Sequence, residues 1–304
     1  MRPVNSENPV SVEISTHARR IVRVLAEEFP SRSGLNPRAL QGAAEFVEQE
    51  FRALGVSVHA HPYQARGGEV RNIVAERTGT GASLPCIVIG AHYDTVVGTP
   101  GADDNASGVA GLLELTRLLL SYRNRRTIRY VAFPHEEPPY FYTSQMGSRV
   151  YAQHLKRTNV PVQAMFALEM IGYGGPELRQ TYPFPLLQRL GRYPRNGNFI
   201  ALVGNMRTRR VVGTVKPAMR GACTIGVESL IAPGFLPPLF LSDHSSFWKY
   251  GFPAVMVTDT AFQRNPNYHR AGDVADSLNY GFLAQVVLGM RAAVLALDNS
   301  DEGS

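Results

Sequence analysis

The sequence is short of the residues that would decide its class at a glance. Two cysteines, Cys86 and Cys223, stand in 304 residues. That is too few for a disulfide framework, and neither belongs to a zinc-knuckle or redox pair. Cys86 falls in the apolar run LPCIVIGA and reads as a buried strand residue. Lysine is nearly absent: Lys156, Lys216 and Lys249 are the whole complement, so arginine carries most of the 31 basic charges set against 25 acidic ones. No dense basic run appears beyond Arg207, Arg209 and Arg210, and no nucleic-acid motif accompanies the net charge of +6. Nucleic acid is therefore not an expected partner. No apolar run approaches ~18 residues, so no transmembrane helix and no membrane partner are expected. The apolar stretch Leu230–Leu241 is broken by three prolines. The opening residues, MRPVNSENPVSVEIST, hold no apolar core of a secretion signal, and a cytoplasmic location is expected. Repeats and low-complexity segments are lacking too.

What is present is globular. Hydrophobic residues make 44% and charged residues 18%, which excludes a wholly disordered chain. A chain of this length buries a large core. One domain over 1–304 is expected, with a motif-bearing core at about 70–280 and N-terminal helices at about 16–54 packed on it. Periodicity predicts helices over 16–29 and 37–54, the second opened by Asn36-Pro37 and stopped at Gly55. Strands follow at 56–63, 70–77 and 85–92, a helix over 106–120, a strand at 127–134, a helix over 147–156 and a strand at 162–170. Residues 172–197, rich in Gly, Pro, Tyr and Arg, read as a long loop. Later strands fall at 198–204, 224–231 and 253–259, with helices over 243–250 and 274–297. The alternation predicts a three-layer α/β/α sandwich on a mixed, mostly parallel sheet.

Polar residues with ligand chemistry follow five of the apolar segments directly, where open α/β sheets bind ligands. They are His92 and Asp94 in GAHYD, Asp103 and Asp104 in GADDNASG, and Glu136 and Glu137 in FPHEEPP. Glu169 in ALEMIG and His269 with Asp273 in NYHRAGD complete the series. Each alone is ordinary: Asp-Asp-Asn is common turn chemistry, and paired glutamates usually lie at the surface. Five in strand order point to one site. Imidazole and carboxylate are what zinc takes when thiolates are absent.

In this order the segments resemble those of peptidase family M28, the zinc peptidases that include bacterial leucyl aminopeptidase and the glutamate carboxypeptidase branch. The resemblance covers roughly residues 70–280. It implies an α/β/α fold, two Zn2+ ions per chain bridged by a carboxylate, and a peptide or aminoacyl substrate. Carried over residue by residue, His92 would bind one zinc, Asp104 would bridge both, and Glu137 and His269 would hold the other. Glu169 stands where the family usually places aspartate on the His92 metal. Asp94 would hold the His92 ring, and Glu136 would be the general base. Asp243 and His244, in SDHSSFWKYGFPAV, would stand near the site without ligating metal.

The chemistry is consistent without the family. Two zinc ions ~3.5–4 Å apart polarise a carbonyl and acidify a water near neutral pH. A carboxylate must then move that proton to the leaving amine. A ligating carboxylate cannot do so, and a Glu-Glu pair supplies one of each kind.

Three departures from the family pattern stand out. Glu169 is one methylene longer than aspartate. The segment PPYFYTSQ intervenes after Glu137, and its Tyr140, Phe141 and Tyr142 are expected to line the substrate pocket. Arg270 and Ala271 replace the usual threonine and proline, Arg270 reading as surface. His135, His17, His59, His61 and His154 read as packing or surface residues.

An aminopeptidase is the first expectation. A carboxypeptidase or N-acyl amino acid hydrolase is the second, with Arg179, Arg189, Arg192 or Arg195 available for a substrate carboxylate. A glutaminyl cyclase-like acyltransferase with one zinc is disfavoured by Asn105-Ala106-Ser107. A catalytically silent binding protein is disfavoured because a ligand type stands at every position. Zinc is the default ion; cobalt or manganese use similar ligands.

Overall fold

The computed structural model describes residues 8–81, 83–182, 193–233 and 240–300. The first helix, α1 (Pro9–Arg23), starts earlier than periodicity predicts: the Asn8 side chain caps it by accepting the Val10 N–H, and Pro9 fits the first turn. It widens through Glu28. α2 (Pro37–Ala53) turns Leu40, Ala43, Val47 and Phe51 inward at helical spacing.

The strands β1 (Ser57–Ala65) and β2 (Gly68–Arg77) form a hairpin. β3 (Cys86–His92) is buried at every position. A wide turn over Ala102–Ser107 leads into α3 (Gly108–Leu119), followed by β4 (Ile128–Phe133), α4 (Gly147–Arg157) and β5 (Val162–Glu169).

The predicted long loop over 172–197 contains a small ladder of β6 (Gly175–Arg179) with β7 (Asn196–Gly197). After β8 (Phe199–Asn205), sequence periodicity gives no warning of α5 (Arg209–Ala222), whose interior Pro217 is a poor helix residue. β9 (Gly226–Ala232), the short α6 (His244–Lys249) and β10 (Ala254–Thr258) follow. The last helix, α7, spans Tyr280–Asp298, six residues later than the predicted start. Asn279 caps it, and only a single turn at Ala275–Ser277 precedes it.

Of the ten strands among the described residues, eight form one sheet of order β1-β2-β4-β3-β5-β10-β8-β9. β4, β3, β5 and β10 run parallel at its centre. β2 and β8 join them antiparallel, which makes the sheet mixed and mostly parallel as expected. One continuous apolar core packs α1, α2, α3, α5 and α7 on one face. A second core, around Tyr151, Leu155 and Phe247, packs α4 and α6 on the other. The helix α7 is long and apolar enough to cross a membrane by length and composition, although no uninterrupted apolar run in the sequence shows it. It lies against α1, α3 and α5 with most of its residues buried, as a core helix does. The central parallel strands end together, so His92, Glu169 and the turns after β4 and β10 share one edge of the sheet.

Candidate functional site

Two groups of possible metal-binding side chains meet at this edge, and Asp104 belongs to both. His92, Asp104 and Glu169 form one; Asp104, Glu137 and His269 form the other, with ligand atoms in each group within 4.8 Å of one another. His92 Nε2 lies 3.4 Å from Asp104 Oδ1 and 3.3 Å from Glu169 Oε2. His269 Nε2 lies 3.1 Å from Asp104 Oδ2 and 3.3 Å from Glu137 Oε1. Asp104 thus turns one oxygen to each group. His92 Nε2 and Asp104 Oδ1 are buried without a hydrogen-bond partner. Orphaned polar atoms of this kind ask for a ligand, and imidazole with carboxylate suits zinc. The extra methylene of Glu169 does not keep its carboxylate out of the group.

The turn that presents Asp104 has little freedom. Gly101 sits at φ 62°, and a Cβ there would lie 2.1 Å from Thr95 Cγ2 and 2.5 Å from the Asp104 carbonyl oxygen. Gly108 has no room either, with the Leu168 carbonyl oxygen 2.6 Å from a Cβ. Asn105 ties the turn to β5: its Nδ2 donates to the Leu168 carbonyl at 2.8 Å, and its Oδ1 accepts the Met170 N–H at 3.0 Å. Asp103 does not face the groups. Its oxygens accept from the Gly172 N–H and Asn265 Nδ2.

Two further carboxylates act as clamps. Asp94 accepts the N–H groups of Glu136 and Glu137, both at 3.1 Å. Asp273 accepts those of Asp103 at 2.9 Å and Asp104 at 3.1 Å. The expected contact of Asp94 with the His92 ring is only partly its carboxylate's. Nδ1 lies 3.2 Å from the Asp94 carbonyl oxygen and 3.5 Å from Oδ1, because the two amides hold the carboxylate elsewhere. A donating Nδ1–H leaves Nε2 free to ligate.

Glu136 belongs to neither group; its Oε2 is 3.9 Å from His92 Nε2. Burial holds its carboxyl well above the ordinary range, against the pull of His92 and with help from Glu137 and Glu169. Burial, with Asp104 nearby, also raises Glu137. Burial alone would lower both histidines. The carboxylates Glu169, Glu136 and Asp104 more than reverse this for His92. Asp104 and Glu137 push His269 to about 10. Burial opposes the ionised form of Asp104 as well, yet His269 and His92 hold its pKa below the carboxylate range.

The expected pocket residues fall elsewhere. A cavity of about 430 Å³ adjoins the two groups and is lined by Phe199, Ala201, Val203, Leu241, Met256 and Phe262, with Glu169 of the first group and Tyr268, the neighbour of His269, also in its wall. Tyr140, Phe141 and Tyr142 do not line it. Tyr140 is buried and stacked on His135, ring centroids 3.8 Å apart, and its hydroxyl donates to the Arg66 carbonyl. Phe141 stands edge-on to Tyr142, which is 44% exposed. The segment turns back onto the β1–β2 hairpin, where Tyr63 also holds the Gln145 carbonyl. Asp243 and His244 are both buried. Burial raises the Asp243 carboxyl, which feels the charges of His92 and Glu169, while His244 packs edge-on to Trp248. Arg179 and Arg195 are exposed and not in the cavity lining; Arg189 and Arg192 lie outside the described residues. Arg270 is exposed, as expected.

Three contributors escaped the sequence reading. Ser242 Oγ donates to Glu169 Oε2 at 2.6 Å. Tyr268 stacks on His269 with centroids 3.7 Å apart, a contact its place beside the histidine could have suggested. Asn105 was visible in GADDNASG but not its tie to β5.

Known proteins resemble this chain in sequence and in fold. Peptidase family M28 matches residues 72–294. The uncharacterized protein YfbL of Escherichia coli K12 is 44% identical over 280 residues, 89% of this chain and 84% of its own. Leucine aminopeptidase 1 of Coccidioides posadasii is 26% identical over 297 residues, covering 91% of this chain and 70% of that protein. The solved structure of BSAP, a zinc aminopeptidase from Bacillus subtilis, shares the fold with a TM-score of 0.73 at 16% identity, covering 92% of this chain and 94% of that one. The match spans most of the chain and takes in all five segments that carry the candidate residues, so this chain belongs to peptidase family M28 and is a peptide-bond hydrolase.

Proposed function

We propose that the chain is an aminopeptidase that works with two zinc ions and removes residues with apolar side chains from peptide N-termini. The observation that carries this reading is Asp104, which turns Oδ1 toward His92 and Oδ2 toward His269. In this reading His92, Asp104 and Glu169 hold one ion, and Asp104, Glu137 and His269 hold the other. Ions so held supply polarisation of the scissile carbonyl and a water acidic near neutral pH.

Glu136 then takes the proton of the attacking water and delivers it to the leaving amine. Asp94 fixes its backbone by accepting its N–H. The cavity beside Glu169 suits the apolar side chain of the residue released. Among the described residues that line it there is no arginine or lysine to take a substrate's terminal carboxylate, which favours recognition of a free amine by the surrounding carboxylates.

The test is hydrolysis of leucine anilide against N-acetyl-leucine anilide and a dipeptide blocked at its N-terminus. The reading expects cleavage of the first alone. Preference for blocked substrates would move the chain to the N-acyl hydrolases or carboxypeptidases.

A further inference from the structure

Arg32 lies between α1 and α2, outside residues 72–294, yet its side chain is fully buried beside the two ligand groups. Its Nε donates to the Tyr93 carbonyl at 2.7 Å. Nη1 donates to the carbonyls of Leu25 at 3.0 Å and Pro100 at 2.6 Å, and Nη2 to that of Gly101 at 2.6 Å. The backbone joins in. The Arg32 carbonyl accepts the Thr95 N–H at 2.9 Å, and the Ser31 N–H donates to the Thr99 carbonyl at 2.9 Å. One planar guanidinium therefore ties Tyr93, between His92 and Asp94, to Gly101, which opens the turn carrying Asp104.

None of these bonds goes to a carboxylate. Burying a guanidinium among carbonyls alone is costly unless opposite charge lies close. The charges that act on Arg32 are the carboxylates of Asp273, Asp94, Asp104 and Glu137; burial still draws its pKa down to about 10, which leaves it charged at neutral pH. The clamps Asp94 and Asp273 are both in this set, so the cation sits among the groups that hold the ligand-bearing backbone.

We infer that Arg32 is a positioning residue for the metal centre. It fixes the spacing between the His92–Asp94 segment and the Asp104 turn, and its charge allows the carboxylates to crowd there. This rests on the two-ion reading above. A fork with several donors in one plane is what the geometry uses, and lysine has no equivalent.

The test uses the full chain, with zinc affinity measured by competition with a chromogenic chelator and melting followed alongside. The variants are Arg32→Met and Arg32→Lys, with Leu40→Ala in the α2 core as a control for lost stability. Folded Arg32→Met should bind zinc about 10–100-fold more weakly than wild type, the usual effect of removing a group behind the ligands. Arg32→Lys should recover part of the loss, and Leu40→Ala should lower melting without weakening zinc. Wild-type affinity in Arg32→Met would overturn the inference. So would an equal loss in Leu40→Ala, or failure of both Arg32 variants to fold, since Arg32 would then serve the fold as a whole. Wild type that binds no zinc would instead overturn the two-ion reading, and this inference with it.

Discussion

Asp94 accepts the backbone N–H of Glu136 at 3.1 Å through one carboxylate oxygen, and its other oxygen takes the N–H of Glu137. The residue read as base and the residue read as ligand are thus set by one anion. An amide in its place accepts with one oxygen only and turns an NH2 toward the other N–H. Asp94→Asn is expected to lower kcat about 10–100-fold while the protein stays folded. Steady-state kinetics with a free-amine substrate checks this, and unchanged turnover would remove Asp94 as the organiser of the pair.

Glu136→Gln isolates proton transfer from metal binding, because Glu136 stands in neither ligand group. Turnover should fall about 10²–10⁴-fold, with zinc content as in wild type. Turnover that survives would assign the base to another group.

The metal-free protein should lose stability as pH rises. His269 is raised from 6.5 to about 10, and burial raises the carboxyls of Glu137, Asp243 and Asp273. Each binds its proton more readily folded than unfolded. Their stabilisation is therefore present at low pH and is lost as pH rises from the ordinary carboxyl range toward about 10. Asp104, with its lowered pKa, opposes this only on acidification. Zinc would replace protons on His269 and Glu137, so its stabilising effect should grow with pH. Melting temperatures from pH 5 to 9, with and without zinc, decide it; a metal-free protein that stabilises with rising pH contradicts the assignment.

Ala201 lines the cavity on β8. Ala201→Phe should fill part of it and raise KM for leucine and phenylalanine substrates more than for alanine. An equal change for all three would place the released side chain elsewhere.

The residues that meet in the two candidate groups were legible because each stands at or beyond the end of a strand with its own local signature. His92 and Glu169 end β3 and β5, and Glu137 follows β4 by a few residues. The direction of a side chain beyond such a turn is set by distant packing, which no local pattern shows. Tyr140 points at His135 and Arg66 rather than at the cavity. The cavity itself draws on β8, β9 and β10, which no local pattern brings together. Arg32 carries no local signature, because nothing in the sequence distinguishes a guanidinium that donates to four carbonyls from one in water. α5 hid behind Pro217 and two glycines, Gly213 and Gly221.

Asp104, turned to both groups, is proposed to join two metal sites. Elemental analysis of protein purified without chelator or added metal tests it most directly, with His269→Ala measured beside wild type. About two zinc ions per chain are expected in wild type and about one in the variant. One ion or none in wild type, or a variant with undiminished metal, would contradict it.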